Sequence, residues 1–319
     1  MNRVLLAYSG GVRSSAAISW LADTCGAEVV ALTLDIGQGG DLETTRDRAL
    51  TLGAIRAHVL DVRDEFVRHY LGPTLKADAL YDDGRSRADV LSRALIAQKL
   101  VEIAAIEQTS AVAHAAASGD QIDVGVRALA SRMDVLVLPS QAPIPEHIQS
   151  GGFDRLPAAT RSPGECPDEP AFVDITFTRG TPVAINGIAM PLVDLIGSLD
   201  IIAGAHGVGR SEALESPAAI VLHTAHNDLR ALTITGRGDL FSRTVSAQFA
   251  GVIDEGAWFT PLREALTAYV DRMQDGVTGV IRLRLFKGGC SIVDRKPQAA
   301  DASDAGPFCK LTFIATAKA

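Results

Sequence analysis

Residues Ala7 to Ser15 read Ala-Tyr-Ser-Gly-Gly-Val-Arg-Ser-Ser and form the part of the chain best equipped for chemistry. They follow a compact apolar run, Val4 to Ala7, and lead into an apolar-rich helical stretch from Ser14 to about Ala22. Gly10 and Gly11 allow the backbone to curl with its amides inward and no Cβ in the way. A helix N-terminus adds unpaired N–H groups and partial positive charge, a combination that suits phosphate. Ser9, Ser14 and Ser15 contribute hydroxyl donors. The plainer alternative makes Ser9-Gly10-Gly11 a tight turn with Ser14 as the helix cap. Position directly after a first strand favours the phosphate seat, because ligands collect at the carboxyl ends of parallel strands. The chain has no GxxxxGK[ST] stretch, which argues against a Walker-type loop.

The elements that must position this turn alternate between strand and helix. Glu28 to Leu34 is a second strand, bounded by Gly26 and Gly37, and Leu42 to Leu52 is a helix with a charged outer face. Arg56 to Val62 is a third strand with a helix after it through Tyr70, and Val90 to Glu107 carries a strong helical pattern. Ala111 to His114 and Val135 to Leu138 are two further strands. Alternating strands and helices predict an α/β fold, a doubly wound parallel sheet. Continuous apolar runs predict strands buried on both faces. Pro139 to Pro170 is rich in Pro and Gly and reads as a crossing segment. Beyond it, Ala171 to Phe177 and Pro182 to Asn186 predict a hairpin turning near Arg179-Gly180. Helices are expected at Leu192 to Ala203 and Pro261 to Met273, with a half-exposed strand at Thr278 to Phe286. The expected organisation is a nucleotide-binding α/β domain over 1–157, an α+β domain over 158–296 and a tail over 297–319.

Composition narrows the function classes. The 319 residues carry 30 Lys and Arg against 38 Asp and Glu, a net charge of −8. An acidic chain with no basic tract or aromatic platform is a poor partner for nucleic acid. No apolar run is long enough for a membrane span, and MNRVLLAYSGG is too brief a run for a signal peptide. Four scattered cysteines form no CxxC pair, which argues against a disulfide framework or zinc site and fits a cytoplasmic protein. The apolar face of Pro261 to Met273 is available for a homo-oligomer or for core packing.

Several separate blocks share one resemblance. AYSGG followed by two hydroxyl residues is similar to the AYSGGLDTS loop of argininosuccinate synthases, members of the wider ATP pyrophosphatase group with HUP-like nucleotide-binding domains. EVVALTLDIGQGGDLE (Glu28–Glu43), LIAQKLVEIA (Leu95–Ala104) and RSPGECPDEPAFVDITFTRGTPVAING (Arg161–Gly187) resemble further segments of that family. So do WFTPLREALTAYVD (Trp258–Asp271) and VTGVIRLRLFKG (Val277–Gly288). The resemblance covers most of residues 1–295. It implies ATP as cofactor, with Mg2+ in an active enzyme, and small amino-acid-like substrates. In such enzymes the ureido oxygen of citrulline attacks the α-phosphate of ATP, pyrophosphate leaves, and the aspartate amine then displaces AMP.

Carried over position by position, the resemblance assigns nucleotide binding to Ala7, Tyr8, Ser9, Gly10, Gly11, Val12, Arg13, Ser14, Ser15 and Leu34. Substrate contacts fall to Arg93, Asp120 and Gln121, with no protein metal ligand and no certain catalytic residue. This sequence departs from the family pattern at several places. Arg13 stands where the loop has Asp, and Leu34 where a small residue lies near adenine. Arg13 either takes over phosphate contacts or points into solvent. Gly119 replaces an Asn, Asp123 falls where a citrulline-binding Arg is expected, and Arg85 and Val90 replace a Tyr and a Ser. Leu214 replaces a ligand Tyr, pieces near Ile148–Gly152 and Arg210–Glu215 are missing, and 297–319 has no counterpart to the family's association arm. His114 at a strand end reads more readily as a structural residue than as a ligand contact. These residues support an ATP-dependent, AMP-forming ligase that activates another ureido or carboxylate acceptor for an amine. The competing readings are a catalytically silent nucleotide-binding or scaffold homologue and, behind both, a genuine argininosuccinate synthase.

Overall fold

The computed structural model describes residues 3–82, 85–116, 121–142, 144–145, 148, 160–210, 216–234 and 236–298. The chain divides into two compact units, Met1–Ala159 with Val245–Thr267, and Thr160–Thr244 with Ala268–Ala319.

In the first unit, β1 (Arg3–Ala7), helix α1 (Val12–Cys25), β2 (Glu28–Asp35), α2 (Leu42–Thr51) and β3 (Arg56–Asp61) follow the expected alternation. Helix α3 (Arg63–Phe66) runs through a π-helical turn at Val67–Leu71 into α4 (Gly72–Lys76). A short hairpin, β4 (Tyr81–Asp82) and β5 (Arg85–Ser86), precedes α5 (Ala88–Ile106), β6 (Ala111–His114), α6 (Gln121–Leu129) and β7 (Asp134–Val137). The five long strands pair in parallel in the order β3-β2-β1-β6-β7. Leu5 lies between Val30 on one side and Val112 on the other. Val4, Leu6 and Ala31 pack with Ala17, Ile18 and Leu21 of α1 and Ala49 of α2 on one face. Leu5, Val30 and Val112 pack with Leu100 and Ala104 of α5 and Val126 of α6 on the other. Strands covered on both faces explain the unbroken apolar runs, and the sheet is doubly wound as expected.

The connection changes direction between β1 and β6. Strands β2 and β3 build outward on one side of β1, and β6 and β7 on the other. Such a reversal parts the connecting loops and opens a crevice at the carboxyl ends of the strands. Residues 245–267 belong to this unit through Trp258, buried and stacked on Tyr70 with ring centroids 5.1 Å apart.

The opposite end of the sheet is held by one buried carboxylate. Glu107, just past α5, has a side chain only 1% exposed. It lies 2.7 Å from Arg56 and 2.7 Å from His58, both on β3, and 3.4 Å from Arg3 on β1. Burial by itself would raise this carboxyl; hydrogen bonds from His58 and Arg56, with their charge, outweigh it and hold the group below its ordinary range.

The second unit contains the antiparallel sheet β10-β9-β8-β11-β12. Its strands are β8 (Ala171–Thr178), β9 (Thr181–Ile185), β10 (Ile188–Ala189), β11 (Gly279–Phe286) and β12 (Gly289–Pro297). Along β11, buried Ile281, Leu283 and Leu285 alternate with Arg282, Arg284 and Phe286, so one face of the sheet meets the core. Helix α7 (Leu192–Ala205) packs on β9, and α8 (Pro217–Thr233) packs on β11 and β12. Helices α9 (Arg237–Asp254) and α10 (Pro261–Met273) are each divided between the units, with 245–254 and 261–267 in the first. Among the described residues no helix is long and apolar enough to cross a membrane. The expected tail beyond 298 and residues 149–159 of the crossing segment lie outside the described residues.

Removing the buried charge should cost stability in a pH-dependent way. Glu107→Gln is expected to lose about 1–3 kcal/mol at pH 7, the scale of hydrogen bonds to a charged group. A carboxyl held low in the native state stabilises above its unfolded value, about 4.3, and that contribution disappears as pH falls through the lower native value. Denaturant midpoints of the native chain and the variant should therefore differ at pH 7 and converge as acid protonates Glu107.

Candidate functional site

The turn after β1 sits at the crevice beside β6. Gly10 has φ of 75°, the left-handed conformation that the turn requires, whereas Gly11 has φ of −67° and leads straight into α1. Helix α1 begins at Val12, two residues earlier than the pattern suggests, so Ser14 lies in its first turn and Gly11 occupies the cap position. Gly11 has no side chain to cap with. Helix geometry leaves the amides of Val12, Arg13 and Ser14 without intrahelical acceptors, and none of the described residues accepts from them.

Hydroxyl groups fix the turn from beneath. The Ser15 side chain is fully buried and donates to the carbonyl of Gly10 at 3.4 Å, with Tyr8 Oη 3.1 Å away. Burial raises the Tyr8 phenol above its ordinary value, only partly offset by Ser15. Ser14 Oγ donates to Gly11 O at 3.0 Å and lies 3.1 Å from Ser9 Oγ. Thr33 on β2 donates to the Tyr8 carbonyl at 2.9 Å, and the Tyr8 amide donates to Leu32 O at 2.8 Å. Ser14 and Ser15 thus use their hydrogens on the loop's own carbonyls, and Ser9 is the exposed hydroxyl of the three.

Arg13 does not simply point into solvent. Its guanidinium is partly buried and donates from Nε to Ala115 O at 3.1 Å, from Nη2 to Leu138 O at 3.3 Å and from Nη1 to Ser140 O at 3.5 Å. Ala115 follows β6, and Leu138 and Ser140 follow β7, so one side chain ties α1 to the ends of two strands.

The other expected residues divide between two places. Leu34 is half-buried at the end of β2, packed against the α5 face of the sheet. The GQG turn beyond it is closed by Gln38, which donates to Leu34 O and accepts from the Ile36 amide, both at 2.7 Å. Arg93 on α5 reaches Gln121 Oε1 at 3.4 Å, and Gln121 donates to the carbonyl of Asp254 at 2.7 Å. Asp254 also pairs with Arg87 at 3.0 Å. Arg93 and Gln121 therefore belong to one polar set, while Asp120, Gly119 and Leu214 lie outside the described residues. His114, 2% exposed, lies 3.2 Å from Asp123 through Nε2, and its buried Nδ1 finds no protein partner among the described residues. Asp254 and Thr33 were missed in the sequence. Thr33 stood out only as a hydroxyl within an apolar strand, and Asp254 carried no signal.

A parallel five-stranded sheet with helices on both faces, its first turn running into helix amides without acceptors among the described residues, defines a doubly wound α/β class of protein. Residues 3–148 match the family described as Arginosuccinate synthase N-terminal HUP domain, and residues 140–303 match Arginosuccinate synthase C-terminal domain. The argininosuccinate synthase of Carboxydothermus hydrogenoformans is 36% identical over 344 residues, covering 90% of this chain and 86% of that one. That of Pelotomaculum thermopropionicum is 36% identical over 348 residues, covering 91% and 87%. Among solved structures, a predicted tRNA methyltransferase subunit from Methanocaldococcus jannaschii aligns with 14% identity and a TM-score of 0.33 over 47% of this chain and 75% of its own. The chain belongs to the argininosuccinate synthase family.

The two glycines should respond differently to substitution. Gly10→Ala places a Cβ in left-handed backbone and should cost about 1–2 kcal/mol. At Gly11 a Cβ would meet only Ser9 Oγ, at 3.4 Å, an ordinary contact. Gly11→Ser should therefore leave thermal stability unchanged or a few tenths of a kcal/mol higher, since serine is a good N-cap. Thermal unfolding of both variants checks this.

Proposed function

We propose that this chain is an ATP-dependent, AMP-forming carbon–nitrogen ligase. The observation that carries the reading is the set of open amides of Val12, Arg13 and Ser14 at the β1/β6 crevice, in a chain matching both domains of the argininosuccinate synthase family. These amides and the exposed Ser9 hydroxyl bind the polyphosphate, and the half-buried Leu34 offers apolar surface for the base. Fixed donors of this kind hold the triphosphate in line and spread its charge without reorganising during reaction. An acceptor oxygen attacks the α-phosphorus, and the bond from that phosphorus to its bridging oxygen breaks, releasing pyrophosphate. An amine nitrogen then attacks the activated carbon, AMP leaves with the acceptor oxygen, and the nitrogen loses a proton.

On the acceptor side, Asp123 bonded to His114 puts a carboxylate where an amino-acid carboxylate would need a cation. A like charge there disfavours citrulline by leaving its carboxylate unpaired. The proposed acceptor is a different ureido or carboxylate compound, held with the help of Arg93 and Gln121. The reading includes a soluble small-molecule enzyme that assembles as a homo-oligomer in the cytoplasm.

Pyrophosphate release from ATP across a panel of ureido and carboxylate acceptors with amines tests this. One acceptor should support turnover at least about a hundredfold above citrulline with aspartate, the scale of a lost polar contact. Comparable turnover with citrulline and aspartate would make the chain an argininosuccinate synthase in activity as well as descent. ATP binding without pyrophosphate from any acceptor would favour the silent homologue. Gly11→Ser, whose hydroxyl competes for the same amides, should weaken ATP binding at least tenfold by calorimetry while leaving the fold intact.

A further inference from the structure

Carbonyl oxygens at the carboxyl end of a parallel sheet carry partial negative charge. Left bare, those of Ala115, Leu138 and Ser140 would repel a phosphate and attract a cation. Arg13 sits on all three, at 3.1, 3.3 and 3.5 Å. This placement converts the edge beside α1 from acceptor to donor. A guanidinium has five N–H bonds and cannot lose its charge in a protein. Three acceptors leave two N–H bonds without a protein partner among the described residues, on a residue of the helix's own first turn.

The same residues are badly suited to a divalent ion. Magnesium seeks an octahedron of oxygen ligands and is usually anchored by one or two carboxylates. Residues 7–15 contain no carboxylate. Among the described residues no group of three or more His, Cys, Asp or Glu could hold a metal. The nearby carbonyls that could have served are occupied by the guanidinium. The Mg2+ implied by resemblance therefore does not fit the protein side of this seat.

We infer that the turn binds its polyphosphate metal-free, with the Arg13 guanidinium as the fixed counter-charge, so that magnesium competes with the protein for the nucleotide. This rests on the nucleotide reading above and specifies which ionic form is bound. Charge-assisted contacts from a planar guanidinium and neutral amides would supply the neutralisation that a bound cation otherwise gives.

Calorimetry on the full chain separates the cases. ATP titrated in EDTA should bind at least threefold more tightly than ATP in excess Mg2+. Arg13→Gln should lose at least tenfold in affinity in EDTA, and Arg13→Asp should reverse the preference and bind better with Mg2+. Thermal unfolding of each variant establishes that it is folded, and the comparison on the native chain needs no variant. Tighter binding with Mg2+ on the native chain would overturn the inference and leave the nucleotide reading standing. No ATP binding under either condition would overturn both.

Discussion

Three amides at the start of α1 have no acceptor among the described residues, and the surrounding turn is built to keep them so. A glycine at the cap removes the side chain that would normally satisfy them. The left-handed Gly10 and the inward hydrogen bonds of Ser14 and Ser15 hold the preceding turn in one shape. Thr33 fastens that turn to β2, and the turn stands where the strand order switches direction between β1 and β6. Unsatisfied donors in a sheltered turn have a cost, which a bound anion would offset. The proposed function rests on that imbalance.

Arg13 shows how a charge at an unfavourable position can be accommodated. A cation in the first turn opposes the helix dipole by a few tenths to about 1 kcal/mol. Three carbonyls from beyond β6 and β7 compensate it and fix the guanidinium in place. The loop consequently combines helix amides with a permanent positive charge, an arrangement different from one that relies on carboxylate and metal. This difference lies in the site's electrostatics, while its parallel sheet and turn remain those of the family.

Much of the fold could be read from the residues. The β-branched run of Glu28 to Leu34 and the apolar block of Ala111 to His114 became strands because no charged residue interrupts either run. The hairpin at Arg179-Gly180 and the helix at Pro261 to Met273 formed as their turn and start signals indicate. Helix α8 did have a signal: Pro217 at its start and buried Val221, Leu222, Ala225 and Leu229 at helical spacing. Its alanines and histidines diluted that stripe. Strand β12 is nearly all exposed and becomes a strand through its pairing with β11, so no apolar alternation marks it. In the site, residue types identified the turn correctly as a bend into a helix. They could not show where Arg13 points, since its partners are backbone carbonyls more than 100 residues away.

The most direct test of the central claim is the amide NMR spectrum of the chain during an ATP titration. Signals from Val12, Arg13 and Ser14 should move furthest downfield, as each amide acquires a phosphate acceptor, while those later in α1 move little. If ATP binds and these three signals stay in place, the nucleotide is held elsewhere and the account fails.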